Sequence, residues 1–153
     1  MPPGFTKTFA DHLNTIFPFE VKEAQEGDVV HPGRVLIAPG NFHMEIRRQG
    51  AKYVVTLHQQ VSLHNVRPAA DYLLRSVAQY VGANAVGVVL TGMGKDGAEG
   101  LLEMKKAGSF NFAQDEKTCV VYGMPKEAVN AGAVSQSLPL ESIAQAMIEA
   151  ASK

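Results

Sequence analysis

The chain has 153 residues, of which 46% are hydrophobic and 19% charged, a composition that fits one globular domain and excludes a disordered chain. Its formal net charge is −1, which argues against nucleic-acid binding, and no apolar run approaches the roughly 20 residues of a membrane span. Cys119 is the single cysteine and Met1 opens no secretory signal pattern, so we expect a cytoplasmic protein without disulfides or membrane insertion.

The first half of the chain predicts one helix followed by short strands. Phe5, Phe9, Leu13 and Ile16 recur at spacings of three or four, and Thr6 is placed to cap that helix. The predicted strands are residues 19–24, 34–38, 42–47 and 53–58. The last two flank a short glycine-containing turn, which is typical of an antiparallel hairpin.

From Pro68 onward the pattern changes to alternating helices and strands. Pro68 suits a first helical turn, and Gly82 suits the end of the same helix. Further helices are predicted at residues 98–107, 125–131 and 140–151, and strands at 85–90, 109–113 and 120–122. This alternation predicts an α/β domain with a mainly parallel sheet covered by helices.

A glycine-rich turn separates the strand at 85–90 from the helix that follows. Gly92, Gly94 and Gly97 match the G-x-G-x-x-G pattern of dinucleotide-binding turns, and Asp115 and Glu116 follow about 20 residues on, as a ribose-binding acid would. Asp96 lies inside the turn, where its carboxylate would repel a pyrophosphate. The spacing alone leaves three interpretations open: a dinucleotide site, a tight turn without chemistry, or a catalytic aspartate.

No complete catalytic or metal-binding set is visible in the sequence. None of the serines lies in a G-x-S-x-G setting, so none is identified as a nucleophile. The histidines are scattered without zinc-ligand spacing, and Cys119 has no obvious base partner. We therefore expect neither a metal nor a cofactor.

Five segments carry a family resemblance when they are taken in chain order. They are M-P-P-G-F-T at 1–6, L-I-A-P-G at 36–40, L-T-G-M-G-K-D-G-A at 90–98, A-Q-D-E at 113–116 and V-Y-G-M-P at 121–125. Each segment is weak alone, but together they closely resemble the catalytic domain of bacterial chemotaxis protein-glutamate methylesterases. The resemblance runs from Met1 to about Ile148.

The resemblance implies a doubly wound α/β fold and a Ser-His-Asp triad. Enzymes of this family hydrolyse glutamate methyl esters on chemoreceptors and deamidate certain receptor glutamines. Asp96 would be the triad acid, and the backbone N–H of Met93 would face the developing oxyanion. Gly92 and Gly94 would belong to the same active-site loop. The implied partners are the cytoplasmic helices of methylated chemoreceptors.

One departure from the family pattern shapes the remaining expectations. In the family the triad serine and histidine precede the segment that starts here at Met1. Residues 1–153 are therefore expected to be the C-terminal portion of a catalytic domain, without its first strands and without the receiver domain. Such a polypeptide should be inactive alone and should associate through its truncated sheet into a homo-oligomer. Two alternatives remain: a non-catalytic module that binds receptors or partners, and a dinucleotide-binding domain using the turn from Gly92 to Gly97.

Overall fold

The computed structural model describes all residues, 1–153, and divides into two compact units, Met1–Ala69 and Ala70–Lys153. No helix combines the length and the apolar character needed to cross a bilayer. The α/β class with parallel strands and an antiparallel hairpin is confirmed.

The first unit contains one helix and five strands. In chain order these are α1 (Phe5–Ile16), β1 (Glu20–Glu23), β2 (Val29–Val30), β3 (Arg34–Ile37), β4 (His43–Gln49) and β5 (Lys52–His58). Strands β1 and β3 pair in parallel, whereas β2, β5 and β4 form an antiparallel sheet in that order. The predicted hairpin is confirmed, with a register from His43 opposite His58 to Gln49 opposite Lys52.

Thr6 does not cap α1, so that prediction is wrong. The residue before the helix is Gly4, at φ 87°, and no side chain caps the helix end. Thr6 lies inside the helix and is buried, where its hydroxyl donates to Glu23 and accepts the N–H of Gly40 at 2.8 Å. Its hydroxyl therefore links α1 to two later segments of the chain. These two hydrogen bonds satisfy the buried oxygen, as a buried polar group requires.

The second unit contains four helices and a parallel sheet. Its elements are α2 (Ala70–Tyr80), β6 (Val86–Val89), α3 (Ala98–Lys106), β7 (Phe110–Gln114), α4 (Met124–Asn130), β8 (Gln136–Leu138) and α5 (Leu140–Ala151). The strand order is β6-β7-β8, all parallel. The predicted strand at 120–122 is wrong, because only one bridge forms there, between Gly92 and Tyr122.

The core of the second unit lies between the sheet and helices α3 and α4. Leu101, Met104, Ala113 and Ala128 are among its fully or almost fully buried residues. Asn111 is buried in the same region, where its amide donates to the carbonyls of Leu101 and Ala133 at 2.8 and 2.9 Å. A buried polar side chain with satisfied hydrogen bonds fixes the helix against the sheet without an uncompensated group.

Candidate active site

The candidate site begins at the carboxyl end of β6, where open α/β sheets bind ligands. The loop that follows is held by backbone hydrogen bonds to residues 121–124. The N–H of Gly92 donates to the carbonyl of Val121 at 3.1 Å, and the carbonyl of Gly92 accepts the N–H of Met124 at 2.7 Å. A Cβ atom on Gly123 would lie 2.6 Å from the Gly92 carbonyl oxygen, so this approach requires glycine.

The tip of the loop is exposed to solvent. Met93 is 84% exposed, and its N–H has no acceptor within the protein. Gly94 is also exposed and adopts φ 98°, a left-handed conformation that turns the chain after Met93. The predicted loop residues Gly92, Met93 and Gly94 are thus brought together at an exposed turn. A backbone N–H that has no acceptor within the protein is the kind of donor that can stabilise an oxyanion.

Asp96 is half-buried and has both carboxylate oxygens fixed by the start of α2. Its Oδ2 accepts the N–H of Ala70 at 2.6 Å, and its Oδ1 accepts the N–H of Asp71 at 3.0 Å. These N–H groups belong to the first turn of a helix and have no acceptor within the helix, so a carboxylate there also benefits from the helix dipole. Each oxygen keeps a further lone pair, with which the carboxylate can accept one more N–H.

Asp71, in the first turn of α2, in turn binds the start of α3, the helix that follows Asp96. Its side chain is fully buried, and its Oδ1 accepts the N–H of Gly97 at 3.1 Å and the N–H of Gly100 at 2.8 Å. The beginnings of α2 and α3 therefore cap each other through two carboxylates. Asp71 was not identified from the sequence, because an aspartate in the first turn of a helix indicates stabilisation of its own helix and not of a second helix further along the chain.

The same bonds argue against the dinucleotide interpretation. A pyrophosphate would need free N–H groups at the start of α3, and those of Gly97 and Gly100 already bind a carboxylate. Asp115, the candidate ribose-binding acid, instead accepts the N–H and the hydroxyl of Thr118 at 3.0 and 2.7 Å. The glycine turn and Asp115 are thus engaged in local structure, while Glu116, the second candidate acid, is exposed.

Gln114 anchors the candidate loop from the neighbouring strand and was also missed. Its Oε1 accepts the N–H of Thr91 at 2.8 Å, and its Nε2 donates to the carbonyl of Thr118 at 2.8 Å. Beside it, burial raises the pKa of the Cys119 thiol, which favours the unreactive protonated form. This agrees with the prediction from the sequence that Cys119, which has no obvious base partner, is not an activated nucleophile.

Three serines of the second unit take part in structural hydrogen bonds. The buried Ser76 donates to the carbonyl of Leu73 within α2 at 2.7 Å, and the buried Ser109 donates to the side chain of Asn111 at 2.8 Å. The exposed Ser135 accepts the N–H of Asn111 at 3.0 Å. Ser109 and Ser135 are thus bonded to Asn111, whereas an activated serine would be bonded to an imidazole.

Comparisons with known proteins agree on one family. A protein-family model described as CheB methylesterase matches residues 1–147. A Bdellovibrio bacteriovorus protein named protein-glutamate methylesterase/protein-glutamine glutaminase is 72% identical over 144 residues, which are 94% of this chain and 41% of that protein. A Pyrococcus abyssi protein of the same name is 49% identical over 150 residues, covering 98% of this chain and 41% of that protein.

A solved structure extends the likeness to three dimensions. The crystal structure of the Thermotoga maritima CheB methylesterase catalytic domain matches with a TM-score of 0.93 and 42% sequence identity. The match covers 97% of this chain and 79% of that one. The chain spans less than half the length of the two curated relatives described above.

Proposed function

Since this chain belongs to the CheB methylesterase family, we propose that it is the C-terminal portion of a catalytic domain that hydrolyses glutamate methyl esters on chemoreceptors and deamidates receptor glutamines. The observation that carries the proposal is the Asp96 carboxylate, held at both oxygens on the loop after β6. Its partners would be the cytoplasmic helices of methylated chemoreceptors, and it would act in the cytoplasm.

In the proposed reaction Asp96 is the acid of a Ser-His-Asp triad. A serine hydroxyl attacks the γ-carbonyl carbon of the ester and gives its proton to the histidine. The histidine gives that proton to the methoxy oxygen, which departs as methanol, or to the amide nitrogen of a glutamine, which departs as ammonia, as the bond to the acyl carbon breaks. Water then hydrolyses the acyl-enzyme and releases the serine. We assign the serine and the histidine to a part of the family's catalytic domain that precedes the matched region.

The chain's own residues supply orientation and charge stabilisation. Asp96 accepts the N–H of the imidazole, which fixes its tautomer and stabilises the imidazolium that forms. The two backbone N–H groups that already bind this carboxylate keep it from rotating during the reaction. The N–H of Met93, on the turn between Gly92 and Gly94, donates to the oxyanion of the tetrahedral intermediate.

A chimera tests the proposal. The catalytic-domain segment that precedes the matched region in the Bdellovibrio bacteriovorus relative would be joined to Met1, and methanol release from methylated receptors would be measured. We expect the chimera to be active and the 153-residue polypeptide alone to be inactive, because a triad acid acts only through its histidine. Asp96→Asn in the chimera should lower turnover by about 10⁴-fold, as for the equivalent aspartate of serine proteases.

The exposed acid Glu116 provides the control, since Glu116→Gln should leave turnover unchanged. A chimera that keeps most of its activity with Asp96→Asn would refute the role of Asp96. Methanol release by the polypeptide alone at the chimera's rate would refute the proposal that the triad serine and histidine lie outside residues 1–153. Receptor binding by the chimera without methanol release would favour the non-catalytic binding module.

We also propose that the polypeptide self-associates through its parallel sheet. Strand β6 hydrogen-bonds to β7 along one edge, and its other edge pairs with no strand of this chain. Leu90, which follows β6, is 44% exposed. An open strand edge beside apolar surface favours pairing with a second chain. Light scattering over a concentration series should show a dimer or larger species, and a monomer at every concentration would contradict this expectation.

A further inference from the structure

Asp71 is tied to Asp96 twice, although the two residues lie on different elements. The N–H of Asp71 donates to the Asp96 carboxylate at 3.0 Å. The Asp71 carboxylate accepts the N–H of Gly97, the residue bonded directly to Asp96, at 3.1 Å. The two residues therefore form a closed cycle of hydrogen bonds. Asp71 binds the Asp96 carboxylate through its N–H and binds the residue after Asp96 through its own carboxylate.

This cycle restricts the Asp96 side chain more tightly than a single helix cap would. The N–H of Gly97 belongs to the peptide group that carries the Asp96 carbonyl, so Asp71 fixes the plane of that peptide. Gly97 adopts φ 99° without a Cβ atom, and a glycine without such a bond has many other conformations available. The Asp71 carboxylate thus restricts the backbone conformation at residues 96 and 97, and the Asp71 N–H restricts the orientation of the Asp96 carboxylate.

Gly100 lies where α2 and α3 pack against each other without space for a side chain. A Cβ atom at this position would lie 2.6 Å from the Cβ of Leu74 and 3.0 Å from the Oδ1 of Asp71. A methyl group at residue 100 would therefore collide first with Leu74 and would also crowd the Asp71 carboxylate, so that α2 and α3 would have to move apart. Gly100 offers a second way to disturb the same contact while leaving Asp71 in place.

We infer that Asp71 is a positioning residue for the proposed reaction, which holds the Asp96 carboxylate in the orientation that a triad histidine needs. The inference rests on the proposed function. Asp71 does not touch substrate; it acts through Asp96 and through the peptide between residues 96 and 97. Its contribution is expected in the chemical step, because misplacement of a catalytic group by about 1 Å lowers rate by roughly 10²-fold.

The first experiment uses the 153-residue chain itself. Carboxyl ¹³C NMR would follow the Asp96 side chain, and amide exchange would follow Gly97 and Gly100. Asp71→Ala should broaden or shift the Asp96 carboxyl signal and speed exchange at both amides. Asp71→Asn should preserve these signals, since the asparagine carbonyl oxygen still accepts both N–H groups. The control Asp115→Ala removes a similar turn-capping carboxylate that has no bond to the Asp96 loop.

The second experiment measures kcat and KM in the chimera described above. Asp71→Ala should lower kcat by about 10- to 100-fold with KM unchanged, and Asp71→Asn should restore most of kcat. A merely structural role would lower the amount of folded enzyme and leave kcat per folded molecule unaltered. Gly100→Ala should reproduce the kcat loss, and it serves in place of Asp71→Ala if that variant does not fold.

The outcomes separate this inference from the proposed function. An unchanged Asp96 signal in both Asp71→Ala and Gly100→Ala would overturn the positioning role, and so would an unchanged kcat per folded molecule. If Asp96→Asn leaves the chimera fully active, the proposed role of Asp96 fails, whereas a chimera that releases no methanol would contradict the proposed function itself. In either case a perturbed Asp96 signal would support only the control of Asp96 by Asp71 in the structure.

Discussion

Removal of the Asp96 carboxylate should destabilise this chain, although functional groups commonly reduce the stability of the proteins that contain them. The perturbation is Asp96→Ala. It deletes both acceptors for the N–H groups of Ala70 and Asp71, which are bonded at 2.6 and 3.0 Å. Those donors lie at the start of α2 and have no acceptor within the helix. The Asp96 carboxylate is therefore expected to stabilise the fold in addition to its role in the proposed reaction.

The magnitude follows from the two interactions that are lost. Loss of a side-chain cap typically lowers the free energy of unfolding by about 1 kcal/mol. Loss of a negative charge from a helix N-terminus lowers it by roughly 0.3–1 kcal/mol more. The half-buried position lets water replace part of each bond, so we expect a total of about 1–2 kcal/mol. For a chain of this size such a loss lowers Tm by about 3–6 °C.

The assay combines thermal unfolding with amide exchange in α2. Asp96→Ala should lower Tm and speed exchange in the first turn of α2 more than elsewhere in the second unit. The control Glu116→Ala removes an exposed carboxylate that makes no side-chain hydrogen bond, and it should change Tm by less than about 2 °C, since surface substitutions stay within about 0.5 kcal/mol. An Asp96→Ala variant as stable as the parent would show that these two bonds contribute nothing to stability.

Two further predictions concern ligand binding and acid stability. NAD at millimolar concentration should not raise the Tm of the chain, because Asp71 already binds the N–H groups of Gly97 and Gly100; a saturable rise that Gly94→Val abolishes would refute this. Burial lowers the pKa of His43 below its usual 6.5, so the unfolded chain takes up a proton before the folded chain does. The stability that neutral His43 contributes is full above about pH 6.5 and is lost as the pH falls below it. Tm should therefore fall less between pH 7 and pH 5 in His43→Gln than in the parent, and equal falls would contradict the assignment.

The geometry of His43 explains why its neutral form is favoured. The side chain is fully buried, its Nδ1 accepts the N–H of Ala69 at 3.1 Å, and its Nε2 donates to the carbonyl of Val61 at 3.2 Å. A proton on Nδ1 would remove the acceptor for Ala69 and place a charge in the protein interior. His43→Gln keeps a neutral side chain with an NH2 donor group and an acceptor oxygen but cannot take up the proton, so it isolates the effect of protonation.

The glycine turn and its flanking elements were predictable because their signals are local. A strand, three glycines and an apolar-spaced helix follow each other within about 20 residues, a distance over which sequence patterns are informative. Asp71 and Gln114 were not predictable as parts of the site, since each binds backbone groups more than twenty residues away. The short strands β2 and β8 were missed because two or three residues show no alternation. Val120 suggested a strand by its residue type, but it is 90% exposed and unpaired.

The contact between Gly92 and Gly123 has a mechanical consequence. The Gly92 carbonyl binds the N–H of Met124, the first residue of α4, while Gly123 lies too close for any side chain. The loop is therefore fixed at two places, to the first residue of α4 through Gly92 and to β7 through the bond between Thr91 and Gln114. The position of the Met93 N–H thus depends on the packing of α4 as well as on the sheet. A substitution that shifts α4 is expected to move this donor, although no role in the chemistry is assigned to that helix.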